Sequence, residues 1–178
     1  SIHTSNLTSF EKVIDFKHLK ERAITAMVAS DAGIYLSGIS GKVWFYNGDY
    51  IKGPIFILQD NNEDISSSTM ISHQFEHETE AYLYVGSDQL PRLFRAKLNT
   101  AYNGSQWEQV YPYGELAASS GGILSLASAY NKLFIGCRNK KVHRYLRTQT
   151  INLKQPINLI TEEVVESFVE TETLSTST

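Results

Sequence analysis

One pattern occurs three times in the chain and limits what it can fold into. Residues 32–46 read AGIYLSGISGKVWFY, residues 81–95 AYLYVGSDQLPRLFR and residues 129–145 AYNKLFIGCRNKKVHRY. Each is a short apolar run closed by glycine, then a polar turn, then a second run with an aromatic at its end. Stacking the segments puts Gly38, Gly86 and Gly136 in register at spacings of 48 and 50 residues. Phe45, Phe94 and Tyr145 follow at spacings of 49 and 51. A period near 50 built from strand, small residue, turn and strand marks a stacked all-β unit that cannot bury its faces alone.

Flanking segments extend each unit to four strands. In the first unit, strands are expected over 24–29, 34–37, 42–46 and 51–59. Asn47-Gly48 is the strongest turn dipeptide, and Gly53-Pro54 confines the last strand to an edge because proline has no N–H for a central ladder. The second unit is read over 67–112 and the third over 121–160, with an outer strand at 151–160 that carries Pro156. Residues 1–22 form a lead-in, read as a possible outer strand of a preceding unit. The first unit occupies 23–60, a polar cluster Asp60-Asn61-Asn62-Glu63-Asp64 links it to the second, and 161–178 is read as an acidic, then Ser/Thr-rich, flexible tail.

Composition narrows the function classes. The 178 residues are 42% hydrophobic with a formal charge of −3, so a substantial core is available and no nucleic acid is expected as a partner. The charge is unevenly placed: no Lys or Arg follows Lys154, whereas Glu162, Glu163, Glu166, Glu170 and Glu172 crowd the end. A single cysteine, Cys137, excludes an intrachain disulfide and reads as a buried strand-end thiol. No run approaches the length of a membrane-spanning helix, no signal peptide is recognised, and Asn6-Leu7-Thr8 and Asn103-Gly104-Ser105 are acceptor matches of the frequency chance allows.

No residue constellation amounts to a catalytic motif. The oxygen-rich linker at 60–64 lacks the glycine and the closing glutamate of a calcium loop. His73 and His77 stand four apart, but Gln74 occupies the place where a zinc protease needs glutamate, and in a strand the two rings would be about 13 Å apart. Asp31 and Asp88 belong to different units, and nothing in the sequence brings them face to face as a glycosidase pair. The interaction candidates are the basic cluster Arg138, Lys140, Lys141, His143, Arg144 and Arg147, and the aromatics Trp107 and Tyr111. Strand alternation divides the basic cluster between two faces. Trp44 is expected in an inter-unit core, and Trp107, between Gln106 and Glu108, as an exposed stacking platform. No cofactor and no metal is expected.

The three segments resemble the generic repeat of β-propeller proteins of the quinoprotein-like and virion-associated kinds. There is no Gly-His followed by Trp-Asp and no kelch double glycine. The resemblance covers residues 24–160 and implies a partial propeller of three four-stranded antiparallel blades. Their inner strands, starting near Ile24, Met70 and Leu124, would point to the centre. Closed rings take four to eight blades, so the ring would be completed by more chain, by partner chains or by a second copy, two copies giving six blades. The implied role is a non-enzymatic structural or protein-binding component of a larger assembly, such as a virion. The alternative is a carbohydrate-binding or carbohydrate-active extracellular propeller with a glycan as partner.

Overall fold

The computed structural model describes residues 2–6, 9–104, 106–111, 120–152 and 161–173. The fold is all β. A hairpin of β1 (Ile2–Asn6) and β2 (Ser9–Ile14) leads into a 3-10 turn, Phe16–Leu19. Three four-stranded antiparallel meanders follow. The first is β3 (Ile24–Ser30), β4 (Gly33–Gly38), β5 (Lys42–Tyr46) and β6 (Ile51–Ile57). A small hairpin, β7 (Gln59–Asp60) and β8 (Glu63–Asp64), precedes the second, which contains β9 (Thr69–His73), β10 (Tyr82–Gly86), β11 (Leu93–Lys97) and β12 (Glu108–Tyr111). The third is β13 (Ile123–Ala129), β14 (Lys132–Cys137), β15 (Lys141–Asn152) and β16 (Thr161–Thr173). In each sheet the strands lie in chain order, and the entry strands β3, β9 and β13 neighbour one another.

Local chemistry accounts for the hairpins. Asn61-Asn62 and Tyr130-Asn131 take positive φ in two-residue turns, the geometry whose twist matches the flanking strands. Asn47 Oδ1 accepts the N–H groups of Asp49 (3.0 Å) and Tyr50 (3.1 Å), which closes the Asn-Gly turn. Pro54 lies on β6, an edge strand, as its missing N–H requires.

Alternation along the strands sorts side chains to two faces and builds three cores. Tyr35, Val43 and Phe45 of the first sheet meet Met70, Leu83, Val85 and Phe94 of the second. Phe75, Tyr84 and Leu93 on the other face of the second sheet meet Ile123, Leu133, Ile135 and Tyr145 of the third. The remaining face of the first sheet, with Leu36 and Trp44, is covered by Phe16, Ile14 and Leu19. Trp44 is thus buried in a core formed with the lead-in.

Several expectations need correction. Gly86 and Gly136 are equivalent, since Val85 and Ile135 beside them both face the preceding sheet. Gly38 is one position out: in the first sheet it is Leu36 that faces backward and Tyr35 that faces forward. Ser37 therefore stands where the other sheets have glycine. The aromatics shift with it. Phe45 faces the next sheet, whereas Phe94 and Tyr145 face the preceding one. The outer strand of the third sheet is not at 151–160. β15 runs on to Asn152, 153–160 (with Pro156) lie outside the described residues, and the fourth strand is β16. The stretch read as a flexible tail contains that strand. The polar linker at 60–64 is hairpin β7–β8, with Asp60 paired to Arg92 at 2.8 Å and Asp64 accepting from Gln59 at 2.8 Å. The connection between the antiparallel neighbours β11 and β12 contains a 3-10 turn, Ala101–Asn103, capped by Gly104.

Candidate functional site

The polar chemistry of the molecule is concentrated on the second sheet and its junction with the third. Arg95 on β11 is almost fully buried. Its Nη1 donates to Glu78 at 3.0 Å and to the Tyr84 hydroxyl at 3.4 Å, its Nε donates to Glu108 on β12, and its guanidinium lies 4.2 Å from the Tyr82 ring centroid. An arginine cannot neutralise itself by losing a proton, so burial is tolerated only with carboxylates and an aromatic face around it. Burial pushes the Glu78 carboxyl above its ordinary value, and the Phe75 N–H and Arg95 pull it back only in part. The same environment pushes the Tyr84 hydroxyl up, burial being the main cause.

One serine–histidine pair crosses the same junction and a second lies within the third unit. His73 Nδ1 and Ser128 Oγ are 2.6 Å apart, and the ring edge of His73 meets Phe75. Burial lowers the His73 pKa, so the ring is neutral, and its Nε2 is buried without a hydrogen-bond partner. His143 Nε2 and Ser120 Oγ are 2.7 Å apart in a fully buried position. A serine beside a neutral imidazole is the start of a nucleophile–base pair. In the first pair the imidazole nitrogen that a third group would orient is buried without a hydrogen-bond partner, and in the second pair both residues are fully buried. The first ties the second sheet to the third, and the second ties β15 to the segment that leads into β13. A shallow cleft lined by Ser72, His73, Gln74, Glu76, Ser128 and Asn131 opens beside the first pair. Among the described residues no three His, Cys, Asp or Glu side chains come close enough to hold a metal ion, and His77 lies beyond the end of β9, its ring 6.3 Å from that of Phe75.

The basic cluster is dispersed. Arg138 is exposed and its Nη2 donates to the Asp88 carbonyl at 3.1 Å, so Asp88 is held at a sheet junction. Lys140 is exposed in the turn at positive φ. His143 is in the core and Arg144 projects from the opposite face of β15, as alternation requires. Lys141 lies opposite Cys137 and Arg147 opposite Glu166 in the ladder; their side chains lie outside the described residues. Trp107 is half-buried and not the fully exposed platform expected: one ring face is taken by Phe56, stacked at 4.2 Å and 5°, which fixes the ring between the first two sheets. Tyr111 ends β12 opposite Leu93, and its side chain too lies outside the described residues. Cys137 is buried, as expected of a strand-end thiol.

The Arg95 cluster was not singled out by the sequence. Its one local sign is an arginine inside the mostly apolar strand LFRAK, with Glu78 and Glu80 in the β9–β10 turn and Glu108 in the next strand. No family model, curated protein or solved structure matches the chain. Among the described residues no helix is long and apolar enough to cross a membrane.

Proposed function

We propose that the chain is part of a β-propeller and serves as a structural or protein-binding component of a larger assembly, its ring completed by further chain or by partner chains. The observation that carries this reading is a matched pair of methionines. Met27 on β3 and Met70 on β9 occupy the same place in their sheets, opposite Leu36 and Val85 and facing backward. Met70 is 7% exposed because the first sheet covers it, and Met27 is 61% exposed. The outer part of that backward face is covered by the lead-in, with Ile14 at the end of hairpin β1–β2. In this reading the hairpin is the outer half of a preceding blade whose inner strands would cover Met27.

At the other end, Arg144 lies where the second sheet has Arg95. Phe134 pairs with Arg144 as Tyr84 pairs with Arg95, and both pairs face forward. A succeeding blade would therefore find an arginine beside an aromatic on this face also. The experiment is native mass spectrometry of the chain across a concentration series, beside Met27→Glu. Association weakened by Met27→Glu, with unchanged circular dichroism, supports the reading. A monodisperse 20.0 kDa monomer at every concentration with Met27 shielded from solvent contradicts it, as does association unaltered by Met27→Glu.

A further inference from the structure

A second feature stands independently of ring completion. At one end of the second sheet, a groove of about 780 Å³ is lined, among the described residues, by Tyr82, Arg95, Lys97, Gln106, Trp107 and Glu108. These are the first residue of β10, the middle and last residues of β11, two residues that lead into β12 and the first residue of β12. We propose that this groove binds a neutral sugar, a pyranose or a short chain of them.

Three observations define the ligand. The Trp107 ring is fixed by its stack on Phe56, so it presents a rigid apolar wall whose ordering cost is already met in the free protein. Such a wall fits the C–H face of a pyranose, which is apolar on one side and hydroxylated at its rim. Both cations of the groove are paired with carboxylates, Glu108 in the lining and Glu78 and Glu80 beside it. Arg95 is matched by Glu78 and Glu108, and Lys97 by Glu80 at 2.9 Å. Two cations against three carboxylates leave nothing to attract an anion, which disfavours phosphate, sulfate or an acidic sugar. The rim also offers both polarities side by side. The Glu108 carboxylate, 53% exposed, accepts, the Lys97 ammonium, 52% exposed, donates, and the exposed Gln106 amide does both. Adjacent hydroxyls, each both donor and acceptor, match that set. An apolar ligand would leave these groups unpaired, at a cost.

The chain has two tryptophans, Trp44 and Trp107, so Trp44→Phe leaves Trp107 as the one indole reporter. This variant is titrated with methyl glucoside, methyl galactoside, methyl mannoside and N-acetylglucosamine, and separately with glucuronate and N-acetylneuraminate. The unaltered chain is followed in parallel by ligand-observed saturation-transfer NMR, which keeps the test valid if Trp44→Phe folds poorly. The expected result is a saturable response to at least one neutral sugar and none to the acids, weakened about tenfold or more by Gln106→Ala at the rim. No saturable response to any neutral sugar, a response to the acids alone, or a response unaltered by both Gln106→Ala and Glu108→Gln would overturn the proposal. A sugar response in a strictly monomeric chain would leave it standing while removing support for ring completion.

Discussion

The two inter-sheet contacts are built on one backbone repeat with different chemistry. The first is aromatic and nearly dry. Phe45 lies between Tyr35 at 5.0 Å and Tyr102 at 4.9 Å, and Phe56 lies between Trp107 at 4.2 Å and Phe94 at 5.4 Å. Its long-range polar ties include the Tyr35 hydroxyl donating to the Leu98 carbonyl at 2.5 Å, with burial pushing the hydroxyl pKa up to about 12. The second contact also has an aromatic group, with Tyr145 edge-on to Phe75, but it encloses an arginine, a buried carboxylate and the His73–Ser128 pair. Apolar burial is non-directional and insensitive to pH, whereas a buried charge is sustained only by its partners. The same meander therefore tolerates either solution, but they fail under different conditions.

The largest expected effect breaks the first contact. Phe45→Ala removes a buried ring that contacts Tyr35 and stacks on Tyr102, and should cost about 3–5 kcal/mol, measured by urea denaturation. The loss should be the same at pH 4 and pH 7. Arg95→Ala should cost about 3 kcal/mol at neutral pH because it leaves Glu78 buried without its cation. At pH 4 the Glu78 carboxyl, whose pKa is already raised by burial, takes a proton and the penalty shrinks. If both variants show equal pH dependence, the contrast between the contacts is wrong.

A smaller effect concerns His73. Its folded-state pKa lies below the ordinary value of 6.5, so on acidification the unfolded chain takes the proton first. Its contribution to stability is complete above that value and is lost as pH falls from there through the depressed folded value. His73→Phe should flatten the stability profile in that window, and an unchanged slope would refute the assignment. The smallest effect sharpens the picture of the first contact. Trp107 Nε1 is buried without a hydrogen-bond partner. Trp107→Phe keeps a ring on Phe56 and removes that donor, so stability should change by less than about 1 kcal/mol, with thermal melting as the readout.

The hairpins were legible in the sequence because their signals are local: Asn47-Gly48, the glycine-closed apolar runs and the edge proline at 54. The register of the first unit was not. A serine can fill the small site as well as glycine can, and the eye aligns Gly38 with its neighbours when Ser37 is the equivalent. Strand β16 was not legible because the apolar stretch at 151–160 reads as the next strand, whereas β15 continues to Asn152. The signal was present, however, in the β-branched run TEEVVESFVETET and in its glutamates, which complement the basic residues of β15. The Arg95 cluster and the His73–Ser128 pair depend on which faces meet, and residues 55 apart in the chain carry no mark that they will touch.

The proposal that another strand covers the exposed Met27 on assembly is tested most directly by peroxide footprinting. The chain has two methionines, and they are the matched pair. Oxidation read by mass spectrometry should find Met27 reactive and Met70 protected in the dilute chain, because reactivity follows exposure. On assembly, followed by native mass in the same samples, Met27 should become as protected as Met70. A Met27 that remains reactive in every associated state would contradict the account.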